Sequence, residues 1–179
     1  IDVQSRYIHD NDTARLTLPV SGSGMLTVTT SGGMSAPIAW NAVHPDLSTL
    51  YDVAFEPASG NVLVATSTEI KRVDLATGST LASFSLPGGN SGLVGLQILP
   101  MGMTLGTTSV PAGSLLVTNG GTSFDKIFAL NPATGVTLAT LDLGQNLDPV
   151  AGVFHPASGH LFVLDGSPDQ VLELSSTTG

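Results

Sequence analysis

Few side chains in this chain are equipped for chemistry, and they fall into two groups. The first is four histidines, His9, His44, His155 and His160, whose protonation changes near neutral pH and suits acid-base or metal-ligand work. The second is two stretches that crowd hard oxygen donors together, Asp10-Asn11-Asp12 and Asp165-Gly166-Ser167-Pro168-Asp169. Calcium takes such oxygens, so Asp10, Asp12, Asp165 and Asp169 are the candidate metal ligands. The competing role for the same residues is to bond their own turns. Neither stretch has the alternating ligands and sixth-position glycine of an EF-hand loop, nor the glycine-rich calcium nonapeptide. His155 and His160 stand where a related stretch of the chain has Glu56 and Asn61, which makes them solvent-facing turn residues in preference to an acid-base pair.

The usual signatures of nucleophilic, zinc-hydrolytic and nucleotide chemistry are missing. There is no Gly-x-Ser-x-Gly, His-Glu-x-x-His, P-loop or Gly-x-Gly-x-x-Gly. With no cysteine, neither a disulfide framework nor a thiolate zinc site can form. Asn11-Asp12-Thr13 has the form of a glycosylation acceptor. Trp40 is the one tryptophan, too little to build an aromatic platform for sugars. A net charge of −9 with 5 Lys and Arg argues against nucleic acid and anionic membranes, both of which need clustered cations. No apolar run is long enough for a membrane-spanning helix. The acidic, lysine-poor, Ser/Thr/Gly-rich composition points to an extracellular or cell-surface setting.

The elements that must position these groups come from an internal repeat. Phe55-Glu56-Pro57-Ala58-Ser59-Gly60-Asn61-Val62-Leu63-Val64 returns as Phe154-His155-Pro156-Ala157-Ser158-Gly159-His160-Leu161-Phe162-Val163. Ala112-Gly113-Ser114-Leu115-Leu116-Val117 supplies a middle copy. A second signature follows each copy: Ile70 to Gly78, Ile127 to Gly135, and Val171 to Gly179. Gly60, Gly113 and Gly159 recur at intervals of about 50 residues, the length of a four-stranded propeller blade. Within a unit the hydrophobic period is two, as in Thr80-Leu81-Ala82-Ser83-Phe84-Ser85-Leu86 and Thr137-Leu138-Ala139-Thr140-Leu141-Asp142-Leu143, so the elements are strands. Pro57-Ala58-Ser59-Gly60 and the Thr-Gly pairs mark the turns. Gly60, Gly113 and Gly159 are expected in equivalent hairpin turns, and Val64, Val117 and Val163 in equivalent buried strands.

Residues 101–111 interrupt the middle unit, and Met101, Met103 and Leu105 either fold down over a blade edge or form a contact surface. Residues 1–49 lack the signature and form a separate β segment: a divergent blade, a closing strand or the end of a preceding β module. There Arg15 to Val20 and Met25 to Thr30 are expected to pair as a hairpin across Ser21-Gly22-Ser23-Gly24, and Pro37 to Val43 to add a strand. Residues 50–179 are expected to hold three repeats, the last incomplete, so that the chain is a portion of a larger propeller closed by further sequence or by neighbouring chains.

The pattern hydrophobic-x-Phe-x-Pro-x-Ser-Gly-x-hydrophobic-x-Val, followed by Ile-x-x-Val-Asp-x-x-Thr-Gly, resembles the NHL and YVTN class of bacterial β-propeller repeats over residues 50–179. Ile8-His9-Asp10-Asn11-Asp12 resembles the ending of Calx-β modules. In the propeller class an aspartate often follows the inner-strand valine; Asp165 fills that place in the last unit, with Thr66 in the first and Thr118 in the middle one. The resemblance implies an all-β propeller serving as binding platform, scaffold, lactonase or lyase. A lactonase-type site would gather acidic, amide and histidine side chains around a divalent ion at equivalent inner-strand positions, which here hold Val53, Phe55, Val153 and Phe154. The reading favoured is a non-enzymatic module for adhesion, binding or self-assembly, with protein partners or copies of itself meeting its β edges and the 101–111 loop; a propeller enzyme is the alternative.

Overall fold

The computed structural model describes residues 5–8, 14–17, 22–26, 29–30, 33–34, 38–42, 49–88, 93–120, 125–144 and 147–179, with backbone alone before residue 49 and at Leu93. Every regular element among them is a β-strand. The chain divides into two compact units, Ile1–Asp46 with Leu75–Ser79, and Leu47–Asp74 with Thr80–Gly179.

In the first unit β1 (Ser5–Ile8) pairs with β2 (Ala14–Thr17), β3 (Gly22–Leu26) with β6 (Ile38–Ala42), and β4 (Thr29–Thr30) with β5 (Gly33–Met34), all antiparallel. The hairpin expected across Ser21 to Gly24 is therefore corrected. Gly22-Ser23-Gly24 is extended strand, so Arg15 and Leu16 pair back onto Tyr7 and Arg6, while Met25 pairs forward onto Ala39. The strand expected from Pro37 to Val43 is present as β6.

The second unit holds three successive antiparallel meanders. Blade 1 is β7 (Leu50–Glu56), β8 (Asn61–Thr66), β9 (Glu69–Val73) and β10 (Thr80–Ser85), paired in that order. Blade 2 is β11 (Leu93–Ile98), β14 (Leu115–Gly120), β15 (Lys126–Leu130) and β16 (Thr137–Asp142), with the short hairpin β12 (Met103–Leu105) and β13 (Thr108–Val110) inserted after its first strand. Blade 3 is β17 (Pro149–His155), β18 (His160–Asp165) and β19 (Gln170–Ser175). The first strands lie side by side, β11 between β7 and β17, which is the arrangement of propeller blades around an axis.

The repeat turns are built alike. Gly60, Gly113 and Gly159 have φ of 74°, 80° and 73°, a left-handed conformation that only glycine adopts without strain. Each donates its N–H to a carbonyl at the end of the first strand, Glu56 at 2.9 Å and His155 at 3.0 Å, or one residue past it, Leu99 at 2.9 Å. In blade 2 that bond spans the insertion, so the β12–β13 hairpin grows out of the turn without disturbing its base. Val64, Val117 and Val163 are buried at equivalent positions in β8, β14 and β18.

Strand alternation sends each blade's apolar residues to two faces. Here "forward" means the face toward the blade that follows in sequence. Forward residues Ala54, Leu63, Ala65 and Ile70 of blade 1 form one core with Leu96, Leu115, Val117 and Phe128 of blade 2. Leu116, Ile127 and Ala129 on the forward face of blade 2 form a second core with Phe154, Leu161 and Val163 of blade 3. Met103, Leu105 and Val110 of the inserted hairpin belong to that second core and are buried, while Met101 stays exposed. Blade 2 is thus covered on both faces, and every residue of β14 is buried.

Candidate functional site

Strand register aligns Thr66, Asn119 and Asp165, since each lies six residues beyond its turn glycine; Thr66 and Asp165 close the second strands of their blades, and Asn119 is the last residue but one of β14. The middle residue of this set is Asn119, not Thr118; Thr118 pairs with Gly95 one step earlier. In blades 1 and 3 the side chain at this position organises the following turn, whereas Asn119 Nδ2 donates to the Pro87 carbonyl at 2.5 Å. Thr66 Oγ1 accepts from the Glu69 N–H at 3.1 Å and donates to the Glu69 carbonyl at 3.0 Å. Asp165 does the same work with a carboxylate. It is buried at the end of β18. Its Oδ1 accepts from the Asp148 N–H at 2.9 Å and the Ser167 N–H at 3.2 Å, and its Oδ2 accepts from Gln170 Nε2 at 3.0 Å. The Gln170 bond, followed by the Asp148 bond, holds its carboxyl below the usual aspartate range. Asp169, four residues on, is exposed in the β18–β19 turn at φ 57°, a left-handed conformation that aspartate tolerates better than most residues.

Asp165 lies in an acidic neighbourhood. Asp125, before β15, has its carboxyl raised first by burial and then by the charges of Asp142, Asp148 and Asp165, with a bond from the Leu147 N–H opposing the shift. Asp142 is lowered by Lys126, whose Nζ is 3.1 Å away, and by the Gly144 N–H. Among the described residues, no three histidines or carboxylates are grouped so as to hold a metal ion. His9, Asp10, Asn11, Asp12 and His44 lie outside the described residues, and Trp40 is described only as backbone in β6.

A second equivalent set sits at the base of the Pro-Ala-Ser-Gly turn. In blade 1 the buried Glu56 accepts from Arg72 Nη2 at 2.6 Å and Nε at 2.9 Å, and also bonds the Ser59 hydroxyl. In blade 3 the corresponding residues are His155, Glu173 and Ser158. His155 Nδ1 bonds Ser158 Oγ at 2.9 Å, His160 Nδ1 bonds Glu173 Oε1 at 2.7 Å, and His155 meets the edge of Phe162. The acid and base places are exchanged between the blades, and the blade 3 set is exposed. A cavity of about 580 Å³ opens where Glu56 meets blade 2, lined mainly by apolar residues such as Phe55, Leu96, Ile98, Pro100 and Pro132.

Two polar side chains that carried no signal in the sequence join the first strands. Asp52 of β7 accepts from the Leu96 N–H of β11 at 2.7 Å and, with its other oxygen, from the Val53 N–H at 2.8 Å. Gln97 of β11 accepts from the Phe154 N–H of β17 at 2.7 Å, and its Nε2 lies 3.5 Å from the Phe154 carbonyl. These side chains serve backbone groups on the inner edge of each sheet, where the blade itself has no further strand to bond them.

No protein-family model matches the sequence, and no curated protein matches it. Solved structures do. A protein of unknown function from Bacteroides caccae is similar with a TM-score of 0.53 and 17% identity, over 79% of this chain and 47% of that one. A chain of the mitotic checkpoint complex is similar at 0.50 and 15%, over 83% and 42%. The C-terminal WD40 domain of Sif2 aligns at 0.45 and 9%, over 86% and 45%. The chain spans less than half the length of the solved chains it matches. At such identity the likeness is one of fold alone, and the fold is all-β and propeller-type.

Proposed function

We propose that this chain is a non-enzymatic β-propeller module of the NHL and YVTN kind, working by binding or self-assembly within an exported bacterial surface or extracellular protein. The observation that carries this reading is how its polar groups are used. Asp165 bonds its turn, Asp52 and Gln97 join blades, and Glu56 is engaged by Arg72, whereas large apolar side chains stand exposed on the open faces of blades 1 and 3. The acidic, lysine-poor composition supports the extracellular setting. Residues 1–49 are taken as an accessory β segment and Asp165 and Asp169 as turn formers.

The test is to assay the purified chain against a panel of lactones with and without calcium, magnesium or manganese, and to follow its thermal midpoint in a calcium titration. No turnover and no calcium-dependent rise in midpoint are expected. Metal-dependent turnover lost in Asp165→Asn or Asp169→Asn, with the fold retained, would establish the propeller-enzyme reading instead.

A further inference from the structure

The two faces that each blade junction brings together can be followed residue by residue through the repeat. Forward positions Leu63, Ala65 and Ile70 of blade 1 correspond in register to Leu116, Thr118 and Ile127 of blade 2, and all six are buried against the next blade. Their counterparts in blade 3 are Phe162, Leu164 and Val171, with Val153 beside them on β17. These are apolar as well, yet Val153, Leu164 and Val171 are 49%, 43% and 67% exposed.

The complementary face shows the same gap at the other end. Backward positions Leu96 and Ile98 of blade 2 correspond to Val53 and Phe55 of blade 1. Leu96 is buried against blade 1, whereas Val53 and Phe55 are 58% and 54% exposed. The chain therefore carries both halves of its own blade–blade interface, forward on blade 3 and backward on blade 1.

The geometry points to a second copy of this chain as the occupant, its blade 1 seated on the forward face of blade 3, an inference that rests on reading the chain as a binding module. The interface is continuous with the two junctions already in the fold, which is what selects this partner over an unrelated one. The inner-edge bonding agrees. The Val53 N–H, equivalent to the Leu96 N–H that Asp52 holds across the first junction, is bonded by Asp52 of its own strand. The blade 3 counterparts of Asp52 and Gln97 are Ala151 and Val153, which offer no side-chain acceptor. At Val53 the new junction therefore needs no acceptor from its neighbour, and it rests on apolar packing. Such contacts are head-to-tail, so copies add blades in series toward the closed ring of about four to eight that propellers form. Both copies are strongly acidic, so added salt should tighten the association.

The experiment is sedimentation velocity of the full chain from about 1 to 100 μM, with Val171→Glu as the forward variant and Phe55→Ser as the backward one. The wild type should associate, and each variant alone should weaken association at least tenfold with unchanged far-ultraviolet circular dichroism. Mixing the two variants should restore a one-to-one dimer, because the intact backward face of one meets the intact forward face of the other. If Val171→Glu altered the fold, Val171→Thr, which keeps the branched strand-forming shape, takes its place with a several-fold weakening expected. A wild-type chain monomeric throughout this range, a backward variant that associates normally, or a mixture that stays monomeric would overturn the inference. A monomer without turnover overturns this inference and leaves the module reading in place, whereas metal-dependent turnover overturns the module reading.

Discussion

Asp52 provides the sharpest test of how successive blades are held together. Its two carboxylate oxygens accept from the Leu96 N–H at 2.7 Å and the Val53 N–H at 2.8 Å, and Asp52→Ala removes both acceptors. A hydrogen bond to a charged group contributes about 1.5 to 3 kcal/mol, and stranding a buried N–H costs about 1 to 3. The Val53 bond is solvent-exposed and belongs at the low end, so the substitution should cost about 2 to 3 kcal/mol in all. For a chain of this length that lowers the thermal midpoint by roughly 5 to 10 °C. Asp52→Asn keeps one acceptor oxygen and should cost about half as much. Gln97→Leu acts at the other junction but is next in sequence to Leu96, which Asp52 bonds, so the two losses are expected to couple by about 0.5 kcal/mol or more. The measurements are urea unfolding and residue-resolved amide exchange, in which the Leu96 amide should lose protection in Asp52→Ala while the Phe154 amide keeps its own. A loss under about 0.5 kcal/mol, or an unchanged Leu96 exchange rate, would refute the argument that side chains of one blade hold the inner edge of the next.

Two further predictions concern pH and one concerns glycine. Because the Asp165 carboxyl is held below its ordinary value, the folded state binds fewer protons than the unfolded one, so its contribution is present above the ordinary aspartate range and lost as pH falls through the folded value; the thermal midpoint of Asp165→Asn should therefore fall less steeply on acidification than that of the wild type. Asp125 is raised, so the sign reverses and stability drops as pH rises through its elevated value; Asp125→Asn should raise the midpoint at neutral pH and leave it unchanged in acid. A methyl group added at Gly95 would lie 2.8 Å from the Ala151 Cα, forcing β11 and β17 apart at a cost of about 1 to 3 kcal/mol, whereas Gly60→Ala meets no atom within 4 Å and should cost only the left-handed strain of about 1 to 2 kcal/mol, with Gly60→Asn milder; urea unfolding of all three variants decides both points.

The parts of this fold that were legible in the sequence are those set by local rules. Gly60, Gly113 and Gly159 announced their turns because a positive φ restricts the residue type there, and β16 announced its buried face through the alternation of Thr137 to Leu143. The middle unit's turn was recognisable despite the inserted residues because Gly113 still bonds the Leu99 carbonyl. What escaped was long-range. Asp52 and Gln97 reach backbone groups 44 and 57 residues away, and nothing in their immediate neighbours marks them. The exchange of Glu56 and Arg72 for His155 and Glu173 was half visible, since the repeat aligns His155 with Glu56, but the partners on the third strand emerge only from cross-strand register. In the first unit, Ser21-Gly22-Ser23-Gly24 looked like a turn by composition, while pairing of β3 with β6 keeps residues 22–24 extended.

The inserted hairpin makes the two blade seams unequal. Between blades 2 and 3 it adds Met103, Leu105 and Val110 to the shared core, a contribution with no counterpart between blades 1 and 2, while surface cavities of similar size, about 580 and 520 Å³, border both seams. Burying three further apolar side chains stabilises the second seam beyond the first, which gives the array a built-in line of cleavage between blades 1 and 2. Under denaturant or load, blades 2 and 3 are expected to hold together as a pair after blade 1 has parted from them. A sequence change that filled the first seam would therefore strengthen the whole array more than the same change made at the second.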